Sequence, residues 1–118
     1  MPAHADPALQ FEPLLGALID THEQMVAIAL DHRAAISRAD PIAVQACIGQ
    51  QAVLSARVAD LESQRRALTA ALVPSRPGAA AATITAVAQA LPEPARPRTL
   101  TAAARLREVL LRLQRENG

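Results

Sequence analysis

From residue 14 onward the chain places an apolar or small side chain at alternating intervals of four and three, at Leu14, Leu18, Thr21, Met25, Ile28, His32 and Ala35. A mean spacing of 3.5 residues keeps such side chains on one seam of a helix that packs along a second helix. Leu15, Ile19, Val26 and Leu30 lie beside the seam and widen the apolar face, which predicts contact with more than one neighbour. Pro13 suits a first helical turn, so the pattern predicts a helix over 13–39, preceded by a loose stretch over 1–12. Asp40 then has the chemistry of an N-cap and Pro41 that of a first helical residue, predicting a tight reversal.

The second segment repeats the alternation at Cys47, Gln51, Leu54, Val58, Leu61, Arg65, Leu68 and Leu72. It predicts a helix over 41–73, ended by Pro74, with Glu62 and Arg66 spaced as an i,i+4 ion pair. Two helices of this length joined by so short a turn can only lie antiparallel, as an α-hairpin with coiled-coil-like packing. Two proline-rich breakers follow, Pro74 to Gly78 and Pro92 to Arg98. Between them Ile84, Val87 and Leu91 mark a short helix over 83–91. A last helix over 99–117, capped by Thr99, carries Ala103, Leu106, Leu110, Leu113 and Asn117 at seam spacing, with Glu108 and Arg112 as a second i,i+4 pair. The expected fold is all-α: one helical domain over 1–118, a long hairpin with a short third helix and a C-terminal helix. The seam spacing is still running where the sequence stops.

Composition supports that class. Alanine supplies 28 of the 118 residues, and there is one Phe and no Tyr or Trp, which disfavours sandwiches and barrels built from aromatic and β-branched residues. The formal charge of +1 names no partner. It is unevenly spread: residues 1–56 hold two Arg and six acids, residues 57–118 ten Arg and five acids. Acids interleave with the arginines and no stacking aromatics accompany them, so nucleic acid is not expected as a partner; acidic and basic helices that complement each other in packing explain the asymmetry. The longest uncharged runs, Pro41–Ala56 and Pro77–Pro92, are too short and too polar for a membrane span, and the start lacks the features of a secretory signal. The single Cys47 forms no internal disulfide and suits a reducing cytoplasm.

Little in the chain can carry catalysis. His22 and His32 are ten residues apart, three helical turns in height, too far to share a metal, and neither has a ligand four residues away. His22 is comparable to the histidine of a phosphotransfer bundle, but the Glu23, Gln24, Met25 and Val26 that follow lack the lysine and glycine of such sites. The four glycines are scattered and form no phosphate-cradling loop. No enzyme activity, metal or cofactor is expected. What remains is an amphipathic last helix with fewer neighbours than the hairpin, a surface on which another helix can dock.

The order Leu14-Leu15-Gly16-Ala17-Leu18, His22-Glu23-Gln24, the Asp40 reversal, Gln50-Gln51-Ala52-Val53-Leu54, Leu61-Glu62 and Arg65-Arg66-Ala67-Leu68, then Leu91-Pro92 and a final Leu113-Gln114-Arg115-Glu116-Asn117, resembles the FlgN-type flagellar export chaperones over residues 12–118. The resemblance implies a cytoplasmic chaperone of the flagellar type III export system. Such a protein holds hook-filament junction proteins unpolymerised and delivers them to the export gate. It also implies that the last helix binds the client, which assigns partner binding to Leu106, Val109, Leu110, Leu113 and Asn117. Arg105, Arg107 and Arg112 would form a charged rim. The chain departs from the family's pattern at Gln50, where lysine is common, and at its end, where the family's final helix generally continues. The alternative reading is a structural coiled coil that self-associates through the same stripe, so homo-oligomerisation stays open.

Overall fold

The computed structural model describes residues 7–72, 87, 91 and 95–117. Among them are three helices and no strand: α1 (Pro7–Ser37), α2 (Pro41–Leu72) and α3 (Ala95–Asn117). The all-α expectation holds. The short helix expected over 83–91 lies outside the described residues except for Val87, helical and buried, and Leu91, also buried.

The reversal after α1 forms as its residues dictate. Ala39 adopts a left-handed φ of 53°, the Asp40 N–H donates to the Ala35 carbonyl and the Ala39 N–H to the Ile36 carbonyl, each at 3.0 Å. This is a Schellman closure, which satisfies carbonyls that the helix end would otherwise leave unpaired. Asp40 also opens α2: its side chain accepts from the Ala43 N–H at 3.1 Å and its carbonyl from Val44 at 3.0 Å, with Pro41 in the first helical position.

Two helix starts differ from expectation. α1 begins at Pro7, with Pro13 inside it, although an interior proline removes a backbone hydrogen bond. The reason lies in Phe11, which is 0% exposed and packs with Leu14, Leu15 and Leu18; burial of the only aromatic holds the turn that precedes Pro13. α3 begins at Ala95, four residues before the expected Thr99 cap. Pro97 is third in that helix, where the N–H has no intrahelical acceptor in any case. Thr99 therefore sits inside α3, fully buried, and its hydroxyl has no hydrogen-bond partner.

α1 is the central element. It packs against both α2 and α3, whose backbones do not come close to each other, as its widened apolar face predicted. The core gathers Phe11, Leu14, Leu15, Leu18 and Ile19 of α1 with Leu61 of α2, Leu106 and Val109 of α3, and Val87. On α2, Cys47, Leu54 and Leu61 are buried as the seam requires, while Glu62 pairs with Arg65 at 3.1 Å rather than with Arg66. The expected Glu108–Arg112 pair does not form: Glu12, Asp40, Glu62 and Glu116 supply the carboxylates of the ion pairs among the described residues.

Candidate functional site

α3 is fixed to α1 at both ends. Arg98 Nε donates to Glu12 Oε1 at 2.8 Å, near the start of each helix. Near their ends Arg33 meets the Glu116 carboxylate at 3.0 Å and donates to the Glu116 backbone carbonyl at 2.9 Å. The two pairs make α3 parallel to α1 and hence antiparallel to α2. Both are solvent-exposed, so each adds only about 0–1 kcal/mol. The stronger attachment is apolar: Ala103, Leu106 and Val109 are buried against α1.

This placement divides the five residues assigned to partner binding. Leu106 and Val109 are 5% and 4% exposed; they belong to the core, and in the free chain they offer a partner almost no surface, Val109 reaching only the floor of a groove beside Glu108. The broad face of α1, completed by Leu15 and Ile19, covers them. Leu110 is 41% exposed. Leu113 is half-buried and lines a small cavity with Met25, Gln51 and Ser55. Asn117 is the last residue of α3.

Sequence spacing missed two open side chains on the same helix. Leu111 is 51% exposed and Leu100 is also exposed. With Ala104 and Arg107 they follow intervals of four, three and four, so Leu100, Ala104, Arg107 and Leu111 share one flank of α3. Leu110 borders that flank. The signal was present in the sequence as a second line of leucines, out of phase with the first. On the other side a groove of about 450 Å³ runs between Glu23 of α1 and Arg105, Glu108, Leu111, Arg112 and Arg115 of α3. The free surface of α3 thus joins leucines to an excess of arginines, while Arg98 is engaged with Glu12 and Arg96 with the Leu91 carbonyl at 3.1 Å.

His22, His32 and Cys47 have structural surroundings. His22 is buried on α1 and its Nδ1–H donates to the Leu18 carbonyl at 2.8 Å. His32 is half-buried, and Cys47 is a buried free thiol. Among the described residues no three His, Cys, Asp or Glu side chains come together to hold a metal ion, and no helix is long and apolar enough to cross a membrane.

No curated protein and no solved structure matches the chain. The family model described as FlgN protein matches residues 10–118, nearly the whole sequence. With the central α1, the tight hairpin and the amphipathic last helix in place, that match assigns the fold its lineage: the chain belongs to the FlgN family of flagellar export chaperones.

Proposed function

We propose that this protein is a cytoplasmic chaperone that binds the amphipathic terminal segments of hook-filament junction proteins on α3, prevents their premature assembly and presents them to the export gate. The observation that carries the reading is the paired exposure of Leu110 and Leu111 on a helix already anchored to α1 by Leu106 and Val109. A helix held by one face and open on its flanks can accept a second amphipathic helix without rearrangement of the hairpin. The client's apolar face, which otherwise drives self-assembly, is hidden against Leu110 and, on the next flank, Leu111; Leu113 and Asn117 continue the Leu110 side toward the end of α3. Leu106 and Val109 act from beneath, by fixing the rotation of α3. The arginines Arg105, Arg107 and Arg112 at the rim speed encounter with an acidic segment and make the association rate fall with salt.

The test uses a purified terminal segment of a junction protein and titration calorimetry. Leu110→Asp and Leu111→Asp are each expected to weaken binding at least about tenfold, with little change in melting temperature because both positions are open. Leu106→Asp is expected to unfold the protein, since it places a charge in the core. A Leu110→Asp/Leu111→Asp double variant that captures the segment as the parent does refutes the assignment. A parent protein that binds no segment and self-associates through α3 favours a structural coiled coil.

A further inference from the structure

On the side of α1 away from α2, two helix flanks with seam spacing run next to each other. Glu12, Gly16, Ile19 and Glu23 of α1 recur at intervals of four, three and four, and Arg98, Ala102, Arg105, Val109 and Arg112 of α3 at four, three, four and three. Two cavities lie along them: one of about 420 Å³ lined by Glu12, Gly16, Ile19, Arg98 and Ala102, and the groove of about 450 Å³ beside Glu23. Arg105 lines both, so they form one groove. From Arg98 to Arg115 it is about 25 Å long, which matches about 17 residues of a helix.

Both the floor and the charges of this groove are left without a counterpart in the chain. Gly16 is interior to α1, where glycine is less favourable than alanine, and a Cβ added there would meet no atom within 4 Å. No packing within the chain requires a glycine at that point; close approach of another backbone does. Glu23 is half-buried, Arg105, Glu108, Arg112 and Arg115 are exposed, and none of the five is in an ion pair among the described residues. The pairings of Glu12 with Arg98 and of Arg33 with Glu116 set Glu23 level with residues 106–109, beside Glu108 and between Arg105 and Arg112. Charge along the groove is therefore positive at Arg105, negative at Glu23 and Glu108, and positive again at Arg112 and Arg115. The central carboxylates repel a uniform polyanion such as nucleic acid or an anionic lipid surface; a polypeptide of mixed charge can match the order.

We propose that the groove seats a helix of a partner protein that carries acidic residues seven positions apart with a basic residue midway between them. Seven helical residues rise about 10.5 Å, the separation of Arg105 and Arg112 along α3, so the two registers stay in step. The acids face Arg105 and Arg112, the base faces Glu23 and Glu108, and small side chains lie over Gly16 and Ala102. Leu110 is on the other flank of α3, so the inference goes beyond the client reading and does not rest on it.

The experiment is titration calorimetry of the full chain with two synthetic alanine-based helical peptides of about 17 residues. One carries glutamates seven residues apart with a lysine midway; in the other each of these charges is reversed. The first is expected to bind with a dissociation constant below about 100 µM and the second at least about tenfold more weakly. The triple variant Arg105→Glu/Glu23→Lys/Arg112→Glu should reverse that preference. Gly16→Gln should weaken the first peptide at least about tenfold while the melting temperature does not fall, because glutamine is the better helix former. Leu110→Asp should leave its affinity within about threefold, and circular dichroism verifies that the variants stay folded. Equal affinity for the two peptides, or no binding of either at about 500 µM, overturns the proposal. So does a preference that survives the triple variant, an affinity unmoved by Gly16→Gln or lost with Leu110→Asp, or tighter binding of single-stranded DNA or phosphatidylserine vesicles than of the first peptide.

Discussion

Thr99 offers the sharpest test of the packing between α3 and α1. Four threonines lie in the described helices. The hydroxyls of Thr21, Thr69 and Thr101 each donate to the carbonyl four residues earlier, at 2.7, 2.8 and 3.0 Å. Thr99 alone of the four is fully buried with its hydroxyl unpartnered. A buried hydroxyl without a hydrogen bond costs about 1–3 kcal/mol, and Thr99→Val replaces it with a methyl group of similar size. Valine is also β-branched and has nearly the same helix propensity, so the backbone is unaffected. Allowing for incomplete relief, Thr99→Val is expected to stabilise the protein by about 1–2 kcal/mol. With an unfolding entropy of roughly 2.1 cal/mol/K per residue, 118 residues give about 250 cal/mol/K, so the melting temperature should rise by about 4–8 °C. Scanning calorimetry and urea unfolding measure both quantities. Thr69→Val is the control, because that buried hydroxyl is hydrogen-bonded and its loss should bring no gain. A fall in stability for Thr99→Val, or an equal gain for both variants, refutes the reasoning.

Two further perturbations address the ends of α1. Phe11→Ala should destabilise the protein by about 3–5 kcal/mol, the range for a large aromatic removed from a core; a loss below about 1 kcal/mol in urea unfolding would show that the turn before Pro13 does not contribute to the core. At the reversal, Ala39→Gly relieves a left-handed conformation that costs an L-residue about 1–2 kcal/mol, offset in part by the greater freedom of glycine in the unfolded chain. A net gain of about 0.5–1 kcal/mol is expected. Asp40→Ala should lose about 1 kcal/mol through the missing cap. Opposite signs for these neighbouring substitutions in thermal melts check the turn geometry.

The expectations that failed share a cause. Glu62 has basic residues at both three and four positions on, and spacing alone does not choose Arg65 over Arg66. Thr99 has a capping side chain, but Ala95–Arg98 also join the helix because Arg98 finds Glu12, a residue far away in sequence. Val109 and Leu110 are adjacent and both apolar, so either completes a seam with Leu106 and Leu113. Arg98, Val109 and Glu116 share a flank of α3, and the rotation that brings Arg98 to Glu12 and Glu116 to Arg33 also turns Val109 inward and Leu110 outward.

By itself the sequence determined the hairpin. The alternation of four and three along α1 and α2, and the Ala39-Asp40-Pro41 reversal, act between residues that the chain's own connectivity makes neighbours, so local chemistry suffices. Only the tertiary structure decided how α3 lies: parallel to α1, with Leu106 and Val109 spent on the core and Leu100, Leu110 and Leu111 left outside. A helix with leucines on more than one flank has no preferred face until a neighbour covers one. Here the neighbour is the second face of α1, joined to α3 by contacts more than eighty residues apart in sequence, and a one-dimensional pattern does not record which face it takes.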